Sequence, residues 1–256
     1  MDGKRIKDFI NASIEVEIFD AIDSTNAEAK RIAPKLFEKN ILTPRLLVAK
    51  SQTSGRGRMG RSFLSRADRG IFMTLLYFTD KPLVDAVSVT TAAAAIVAYE
   101  IEKVTGNDMK IKWVNDIYNA RGKVCGILAE TLPVSADTVA VAVGIGINIG
   151  DDDFPEELLG IASSIGDIGD KKEVLAAGIV ERLIEHGANP DERGYMTEYR
   201  KRFMYLGDRV DLFRNGERYA SGIVEGVDDD GGLLLIPDGK NEVITISTGE
   251  ISVRRK

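Results

Sequence analysis

The sequence predicts an α+β fold, in which helices cover a mixed, largely antiparallel sheet and a small SH3-like β-barrel follows. Apolar strand-like runs succeed one another through short turns, which favours antiparallel neighbours because parallel pairs need long crossover connections. One long Ala-rich stretch and two amphipathic stretches supply the covering helices. After Leu206-Gly207 the chain becomes a series of short strands with glycine-containing turns, the pattern of a small barrel. We therefore predict a main domain over residues 1–204 and a barrel domain over residues 205–256.

Alternating residues and apolar runs predict the strands of the main domain. The run from Ile14 to Phe19 alternates with charged residues, as expected of a strand with one buried face. The later runs are richer in Val, Ile and Leu, which is typical of more deeply buried strands. The predicted strands cover residues 14–19, 46–51, 70–78, 109–114, 123–132 and 137–150.

Capping residues and helix breakers predict the helices. Thr25 is followed three residues later by Glu28, a capping box that predicts a helix from Asn26. Pro34 is expected to kink or break that helix, because it lacks an amide hydrogen and its ring clashes with the preceding turn. The other predicted helices cover residues 84–104, 171–186 and 191–204.

Composition excludes several classes of function. The net charge of −6 provides no general positive field to gather nucleic acid or anionic lipid. The only cysteine, Cys125, excludes internal disulfides, and the only histidine, His186, excludes metal sites built from several histidines. We expect Cys125 to be a small buried apolar residue and His186 to lie near a helix C-terminus. A charged N-terminus and the lack of an apolar run of bilayer length predict a cytoplasmic chain without a membrane partner.

A glycine-rich loop, residues 55–62, carries three arginines. Its spacing matches the G-x-G-x-x-G of dinucleotide-binding folds and is one residue away from a P-loop. Both motifs open a helix, whereas residues 63–69 show no helical period and lead into a strand, so we reject both. Arg56, Arg58 and Arg61 favour an anion clamp, since guanidinium forks bind carboxylate and phosphate. A solvated loop or an incidental RNA contact is the alternative.

The end of the fourth predicted strand gathers further polar residues. Strand alternation predicts Lys112 and Trp113 on opposite faces. Lys123 returns to the same neighbourhood across a short turn. Asn115 and Asp116 also have a structural explanation, because an Asn-Asp pair is common in turns.

Two other patterns have both a structural and a ligand explanation. Gly144, Gly146 and Asn148 lie inside a Val/Ile-rich strand, where glycine costs stability unless a bulge or a ligand requires it. Ser24 and Thr25 are good helix-capping residues whether or not their hydroxyl groups also bind a ligand.

Taken in chain order, these motifs resemble those of the biotin–protein ligases, over about residue 14 to the C-terminus. The resemblance implies a catalytic fold like that of class II aminoacyl-tRNA synthetases and biotin ligases, in a monofunctional type of enzyme. The motifs that carry it are Asp23–Asn26, Gln52 with Gly55–Arg61, Lys112–Asp116, Lys123 with Gly126, Gly144–Asn148 and, at the end of the barrel, Gly249–Ile251.

The resemblance also implies the reaction. The family joins biotin to one lysine of a biotin carboxyl carrier protein, as in acetyl-CoA carboxylase. Biotin and ATP, with Mg²⁺, give biotinyl-5′-adenylate and pyrophosphate, and the lysine amine then attacks the mixed anhydride. This chemistry needs positioning and preplaced positive charge rather than a covalent enzyme intermediate, which suits a chain with one histidine and one cysteine.

The site residues follow from the resemblance, position by position. The catalytic residues it implies are Arg56, Arg58 and Lys123, which would face the biotin carboxylate and then the adenylate phosphate. The biotin contacts it implies are Ser24, Thr25, Gln52, Gly55, Arg56, Arg58, Lys123, Gly126 and Gly144. The ATP contacts it implies are Arg58, Arg61, Lys112, Asn115, Asp116 and Asn148, with Asp116 as the candidate Mg²⁺ ligand.

The sequence departs from the family pattern at three positions. Val114 replaces proline, Met59 replaces arginine and Phe63 replaces tryptophan; the last is expected to alter packing over biotin. About a dozen residues precede the first predicted strand, too few for the winged-helix domain of bifunctional members, so we expect no DNA binding. Many members form dimers through sheet edges, and a homodimer is expected here.

Two other functions remain open from the sequence. A lipoate or octanoate protein ligase would share the catalytic fold, but the Gln52 to Arg61 motif and the C-terminal barrel argue against it. An RNA-binding module would use the arginine loop and the barrel. The acidic net charge and the lack of aromatic residues between the arginines argue against that function.

Overall fold

The computed structural model describes residues 1–79, 86–189, 192–214, 216–247 and 251–255. The helices are α1 (Gly3–Asp8), α2 (Thr25–Glu38), α3 (Ala86–Thr105), α4 (Lys172–Ala188) and α5 (Tyr195–Arg202). The strands are β1 (Glu15–Phe19), β2 (Arg45–Ala49), β3 (Gly70–Thr79), β4 (Lys110–Lys112), β5 (Asp116–Tyr118), β6 (Lys123–Pro133), β7 (Val139–Asn148), β8 (Arg209–Arg214), β9 (Glu217–Val227), β10 (Leu233–Pro237), β11 (Ile244–Ile246) and β12 (Ile251–Arg255).

The first seven strands form one sheet in the order β1-β2-β3-β7-β6-β5-β4. The β1–β2 pair is parallel and the other pairs are antiparallel, which confirms the predicted mixed, largely antiparallel sheet. Alternate residues of a strand face opposite sides of a sheet. Leu46 and Val48 of β2 pack in the cluster that holds α1, α3 and α4, whereas Leu47 packs with α2. Helices therefore cover both faces of the sheet.

Helix α2 differs from the sequence prediction in its N-cap residue and in its continuity at Pro34. Ser24, not Thr25, is the N-cap: its hydroxyl accepts a hydrogen bond from the Ala27 amide, because Ser24 still has extended backbone angles whereas Thr25 is already helical. The helix runs through Pro34 to Glu38 without a break. Pro34 lies on the exposed side of α2, where the carbonyl group that it leaves without a partner can be hydrated.

The fourth predicted strand, residues 109–114, is two strands and a turn. β4 ends at Lys112, the chain turns over residues 113–115, and β5 pairs back on β4. Three residues are too few to show a strand period, so the sequence pattern did not separate β5. The short helix α1, capped by Asp2, was not predicted either.

The predicted helices over 84–104 and 191–204 correspond to α3 and α5, although residues 84, 85 and 191 lie outside the described ranges. α5 ends earlier than predicted because Phe203 pairs with Ile111 beside β4. Within the part of the chain that the structure describes, no helix combines the length and the apolar character needed to cross a bilayer.

The last five strands form a second sheet in the order β11-β10-β9-β8-β12, with antiparallel pairs throughout. Val210, Leu212, Leu233 and Leu235 are fully buried in it. This arrangement is consistent with the predicted SH3-like barrel. Of the predicted terminal motif, Gly249 and Glu250 lie outside the described residues.

A buried ion-pair cluster fastens α5 to α3. The Arg202 side chain is only 3% exposed and pairs with Glu102 of α3 and with Glu198 one turn earlier. Burial alone would raise the pKa of the Glu102 carboxyl, but Arg202 and the Met109 amide hydrogen-bond to it, and its pKa is lowered. The carboxylate therefore stabilises the fold above its unfolded-state pKa, and this stabilisation is lost as the pH falls through the folded-state pKa.

Replacing Arg202 by methionine is expected to lower the free energy of unfolding by about 3 kcal/mol, because Glu102 then lacks its partner. Lys201→Met, on the exposed side of the same helix, is the control and should change it by less than about 0.5 kcal/mol. Urea unfolding at neutral pH measures both. Repeated at acidic pH, the wild type should lose more stability than Arg202→Met, and equal losses would contradict this pairing.

Candidate active site

A pocket opens on the face of the large sheet that α2 covers, beyond the N-terminus of that helix. Here β7 presents Ala140 and Ala142 to α2, and then Gly144 and Gly146 to the pocket. Gly126 of β6 pairs with Gly146 across the sheet. The pairing of β7 with β3 and β6 passes these glycines without a register shift, which excludes the β-bulge explanation.

Close neighbours explain why these strand positions carry no side chain. A Cβ atom on Gly144 would lie 2.0 Å from Asn26 Oδ1, and one on Gly146 would lie 2.5 Å from the Phe63 ring. On Gly126 it would meet only the ends of the Phe63 and Lys123 side chains, at 3.2 and 3.3 Å. The glycines therefore let the start of α2 and the Phe63 ring lie directly on the sheet.

A network of neutral polar side chains lines one end of the pocket. The Thr25 amide donates to Gln52 Oε1 at 2.9 Å, and Gln52 Nε2 donates to Ser65 Oγ at 2.9 Å. Thr74 Oγ1 donates to Asn26 Oδ1 at 2.6 Å, and Asn26 Nδ2 donates to a main-chain carbonyl of β6. These contacts hold hydroxyl and amide groups in fixed orientations at the pocket, as recognition of a polar ligand group requires.

The arginine loop, residues 55–62, contributes a half-buried arginine at the other end. Arg58 Nη1 donates to Asn115 Oδ1 at 2.7 Å, and Asn115 Nδ2 donates to the Ile127 carbonyl at 2.7 Å. Arg58 Nη2 is buried and has no hydrogen-bond partner among the described residues. Burial lowers the pKa of the Arg58 guanidinium, and the nearby Asp116 carboxylate opposes this shift. A buried N–H group without a partner is costly, and a ligand anion would satisfy it.

Positive charge predominates in the pocket. The Lys123 ammonium pairs with Asp116 at 2.7 Å, and Lys112 Nζ lies 5.8 Å from the centre of the Tyr118 ring. Burial lowers the pKa of the Lys112 ammonium, with Asp116 acting in the opposite direction. Among the described lining residues, five cations and one carboxylate meet: Arg56, Arg58, Arg61, Lys112, Lys123 and Asp116. In a chain of net charge −6, this concentration of cations favours an anionic ligand.

The structure brings most of the predicted site residues to this one pocket. Lys112 and Trp113 both line it, contrary to the expectation of opposite faces, because the chain leaves the strand at Lys112. Gly55 and Asn148 do not line it. Gly55 is the first residue of the arginine loop and is buried, and a Cβ atom there would be 2.4 Å from the Phe63 carbonyl oxygen. Asn148 Nδ2 donates to the Ser163 carbonyl at 2.9 Å. The predicted residues that line the pocket are Ser24, Thr25, Gln52, Arg56, Arg58, Arg61, Lys112, Asn115, Asp116, Lys123, Gly126 and Gly144.

Several lining residues were not predicted as site residues. Asn26 was part of a quoted motif, and its position beside Ser24 and Thr25 was the available signal. Phe63 was expected near the ligand only because it replaces the family's tryptophan, and Met73 carries no local sign of a role. The segment 251–253 of β12 also lines the pocket. This segment belongs to the second sheet, and no local sequence pattern predicts that it contacts a pocket of the first sheet.

The single cysteine and histidine do not line the pocket. Cys125 is fully buried, and burial raises the pKa of its thiol, in line with the predicted structural role. His186 lies in the last turn of α4, packed edge-on against Tyr195, and burial lowers the pKa of its imidazole. The chemistry of the pocket therefore rests on cations, amides and hydroxyls.

Comparison with protein-family models gives two matches. A model described as the biotin/lipoate A/B protein ligase family matches residues 18–148, about half of the chain. A model described as the biotin protein ligase C-terminal domain matches residues 205–254.

Named relatives and solved structures agree with these matches. The chain is 34% identical to a bifunctional ligase/repressor BirA of Bacillus spizizenii over 84% of this chain and 67% of the relative. It is 30% identical to a biotin–[acetyl-CoA-carboxylase] ligase of Paracoccus denitrificans over 87% of this chain and 94% of the relative. A structure of a biotin protein ligase from Aquifex aeolicus in complex with biotin and ATP superposes with a TM-score of 0.75 at 27% identity, covering 94% and 99% of the two chains.

The glycine contacts give a stability prediction. Gly144→Ala is expected to lower the free energy of unfolding by about 2 kcal/mol, because the new methyl group must displace Asn26 from Thr74. Gly126→Ala is the matched control and should cost less than about 1 kcal/mol, since its neighbours are ends of flexible side chains. Urea unfolding of both variants measures the difference, and equal costs would rule out this account of Gly144.

Proposed function

The chain belongs to the biotin/lipoate A/B protein ligase family, and we propose that it uses ATP to join biotin to a lysine of a biotin carboxyl carrier protein. The reaction passes through biotinyl-5′-adenylate. The observation that carries the proposal is the half-buried Arg58 side chain, whose buried Nη2 atom is unpaired, at the cationic end of a pocket whose other end is neutral and polar. Such a pocket suits a ligand with a neutral polar head and a carboxylate that becomes an acyl phosphate.

The reaction needs two displacements. In the first, a carboxylate oxygen of biotin attacks the α-phosphorus of ATP, and pyrophosphate leaves. In the second, the carrier lysine amine attacks the acyl carbon, AMP leaves and an amide bond forms. The first step brings a carboxylate and a polyphosphate together, and the second builds charge as AMP leaves, so preplaced cations and exact alignment of the reactants supply most of the rate enhancement.

We propose that the polar end of the pocket binds the ring system of biotin. Thr25, Gln52 and Ser24 offer hydroxyl and amide groups to the ureido ring, and Asn26, which the sequence did not single out, belongs to the same set. Gly126 and Gly144 leave the backbone of β6 and β7 accessible to the ligand. Phe63, which lies on the glycine face, would pack against the apolar part of biotin.

We propose that the cationic end binds the reacting groups. Arg58, Arg56 and Lys123 would bind the biotin carboxylate and then the adenylate phosphate, while Arg61 and Lys112 would bind the phosphates of ATP. Asn115 holds Arg58 and remains a candidate nucleotide contact. Gly55, the first residue of the arginine loop, would contribute to biotin binding through that loop. A direct contact between Asn148 and the nucleotide stays a prediction. In the structure, the Asn148 side-chain amide donates instead to the carbonyl oxygens of Lys123 and Ser163.

The donor set fits a magnesium ion that arrives with the nucleotide. Among the described residues no group of three or more His, Cys, Asp or Glu side chains could hold a metal ion, and Asp116 is the carboxylate in the pocket. Mg²⁺ is commonly bound by one or two carboxylates together with substrate phosphates, so Asp116 would be its protein ligand. When bound, the ion would neutralise charge on the departing pyrophosphate.

Three further features belong to the proposal. Residues 1–204 would form the catalytic domain and residues 205–256 the barrel, since the first sheet and its helices end at Arg202 and the second sheet begins at Arg209. A homodimer would form through an edge of the large sheet, where β1 and β4 are the outer strands. Acting in the cytoplasm, where ATP is supplied, the enzyme would have no DNA partner, in keeping with its negative net charge.

The first test is adenylate formation without a carrier. Purified protein incubated with biotin, ATP and Mg²⁺ should release pyrophosphate only when biotin is present, and mass spectrometry should detect bound biotinyl-adenylate. Lipoate and octanoate are the control acids and should give little product. If the enzyme prefers lipoate or octanoate, that acid and not biotin is the substrate. If no acid gives an adenylate, the proposed ligase activity is refuted.

The second test removes one cation at a time. Arg58→Ala and Lys123→Ala should each slow biotin-dependent pyrophosphate release by roughly 10²–10³-fold, because each removes a preplaced charge at the reacting oxygens. Arg209→Ala, an exposed arginine of β8 paired with Asp238, is the matched control and should retain wild-type turnover. Wild-type rates in either pocket variant would remove the assigned role, provided that all three proteins unfold at similar temperatures.

A further inference from the structure

One turn of the second sheet docks on the main domain beside the pocket. This docking turn, Asp228–Gly232, connects β9 to β10. The indole nitrogen of Trp113 donates to the Gly231 carbonyl oxygen at 2.9 Å, and the Trp113 side chain is only 3% exposed. A buried hydrogen bond from a tryptophan to a main-chain carbonyl fixes both distance and direction.

The docking turn is itself rigid. Asp228 Oδ1 accepts hydrogen bonds from the Asp230 amide at 3.0 Å and the Gly232 amide at 2.7 Å. Gly231 has a φ of +86°, and a Cβ atom there would lie 2.8 Å from Thr91 Cγ2 of α3. The turn therefore meets α3 at a distance that only glycine permits.

The other flank of the docking turn is held by α5. Arg200 Nε donates to the Val227 carbonyl at 3.0 Å, and its Nη2 atom pairs with Asp229 at 2.5 Å. α5 also reaches the residue after Trp113, because the Tyr199 hydroxyl donates to the Val114 carbonyl at 3.2 Å. The docking turn and the turn over residues 113–115 are thus held by the same helix.

Trp113 lies two positions before Asn115, the hydrogen-bond partner of Arg58. Asn115 ends the turn that Trp113 begins, and Asn115 Oδ1 accepts the hydrogen bond of Arg58 Nη1. A path of two side-chain hydrogen bonds and one short turn therefore joins Gly231 in the second sheet to Arg58 in the pocket. Because this path is short and buried, a displacement of the docking turn must be transmitted to Asn115 or relaxed by breaking one of these bonds.

We propose that Gly231 and Trp113 are positioning residues, through which the barrel sets the position of Asn115 and hence of the Arg58 guanidinium during adenylation. The inference rests on the proposed function, since it concerns the rate of that reaction. It gives the barrel a role in the first half-reaction that is separate from any contact with the carrier protein.

The test compares two glycines of barrel turns. Gly231→Ala adds a methyl group against Thr91, whereas Gly239→Ala adds one at a φ of +72° with no atom within 4 Å, so both share the backbone strain and only the first disturbs docking. Gly231→Ala is expected to lower kcat for biotin-dependent pyrophosphate release about tenfold relative to Gly239→Ala, with the KM for biotin changed less than about twofold. Equal kcat values for the two variants would overturn the proposal. A wild-type enzyme that forms no adenylate would instead refute the proposed function.

A double variant separates positioning from general damage. If Gly231 acts through Arg58, then adding Gly231→Ala to Arg58→Ala should slow the reaction by less than about twofold further. A further tenfold loss would show that Gly231 acts by another route and would overturn the proposal.

A second pair of variants guards against misfolding of Gly231→Ala. Asp228→Ala removes the acceptor that holds the docking turn, whereas Asp228→Asn keeps a carbonyl oxygen in its place. The alanine variant should lose kcat severalfold and the asparagine variant should recover most of it. Equal rates for this pair would overturn the proposal.

Discussion

The close approach of α2 and Phe63 to the large sheet is the constraint on which the rest of the site depends. A strand normally carries a side chain at every position, and at Gly144 and Gly146 such a side chain would overlap with Asn26 and with Phe63. The absent side chains cost backbone entropy and packing area. In return, the polar residues at the start of α2 lie on the sheet surface, with their hydrogen bonds fixed by Thr74 and β6. The glycines thus determine where the pocket is and which groups face it.

The cationic end of the pocket keeps a buried N–H group that a ligand could pair. A guanidinium has five N–H groups, and burial makes each unpaired one costly. Asn115 accepts a hydrogen bond from one nitrogen of Arg58, and the Asp116 carboxylate is paired with Lys123. Another nitrogen of Arg58, Nη2, therefore stays unpaired. An oxyanion placed there gains a charge-assisted hydrogen bond in a poorly solvated site, where such bonds are stronger than in water. The same desolvation that lowers the pKa of Arg58 therefore favours anion binding.

Local patterns predicted the sheet, because strand periods are properties of neighbouring residues, whereas most of the lining residues were predicted from the family resemblance, position by position. The local patterns placed the cap of α2 one residue too late. They also predicted a kink or break before Pro34, where the helix continues without a break, since the sequence does not show which side of a helix faces water. They also put Lys112 and Trp113 on opposite faces, because β5 is too short to reveal the turn. Phe63 was expected over the ligand from the resemblance alone, and the contribution of residues 251–253 could not be predicted, since it depends on how distant segments pack.

The elements around the pocket differ in how firmly they are held, and this difference suits the chemistry. The turn over residues 113–115 is fastened by α5, by β6 and by the second sheet. The arginine loop is fastened mainly by its own backbone bonds and by the bond from Arg58 to Asn115. A reactive acyl phosphate must be shielded from water and later reached by a lysine amine, which a fully rigid site would not allow. The three arginines of the pocket lie on the lightly held loop, whereas Lys112 and Lys123 lie on strands beside the turn, so the two sets of cations are held with different firmness.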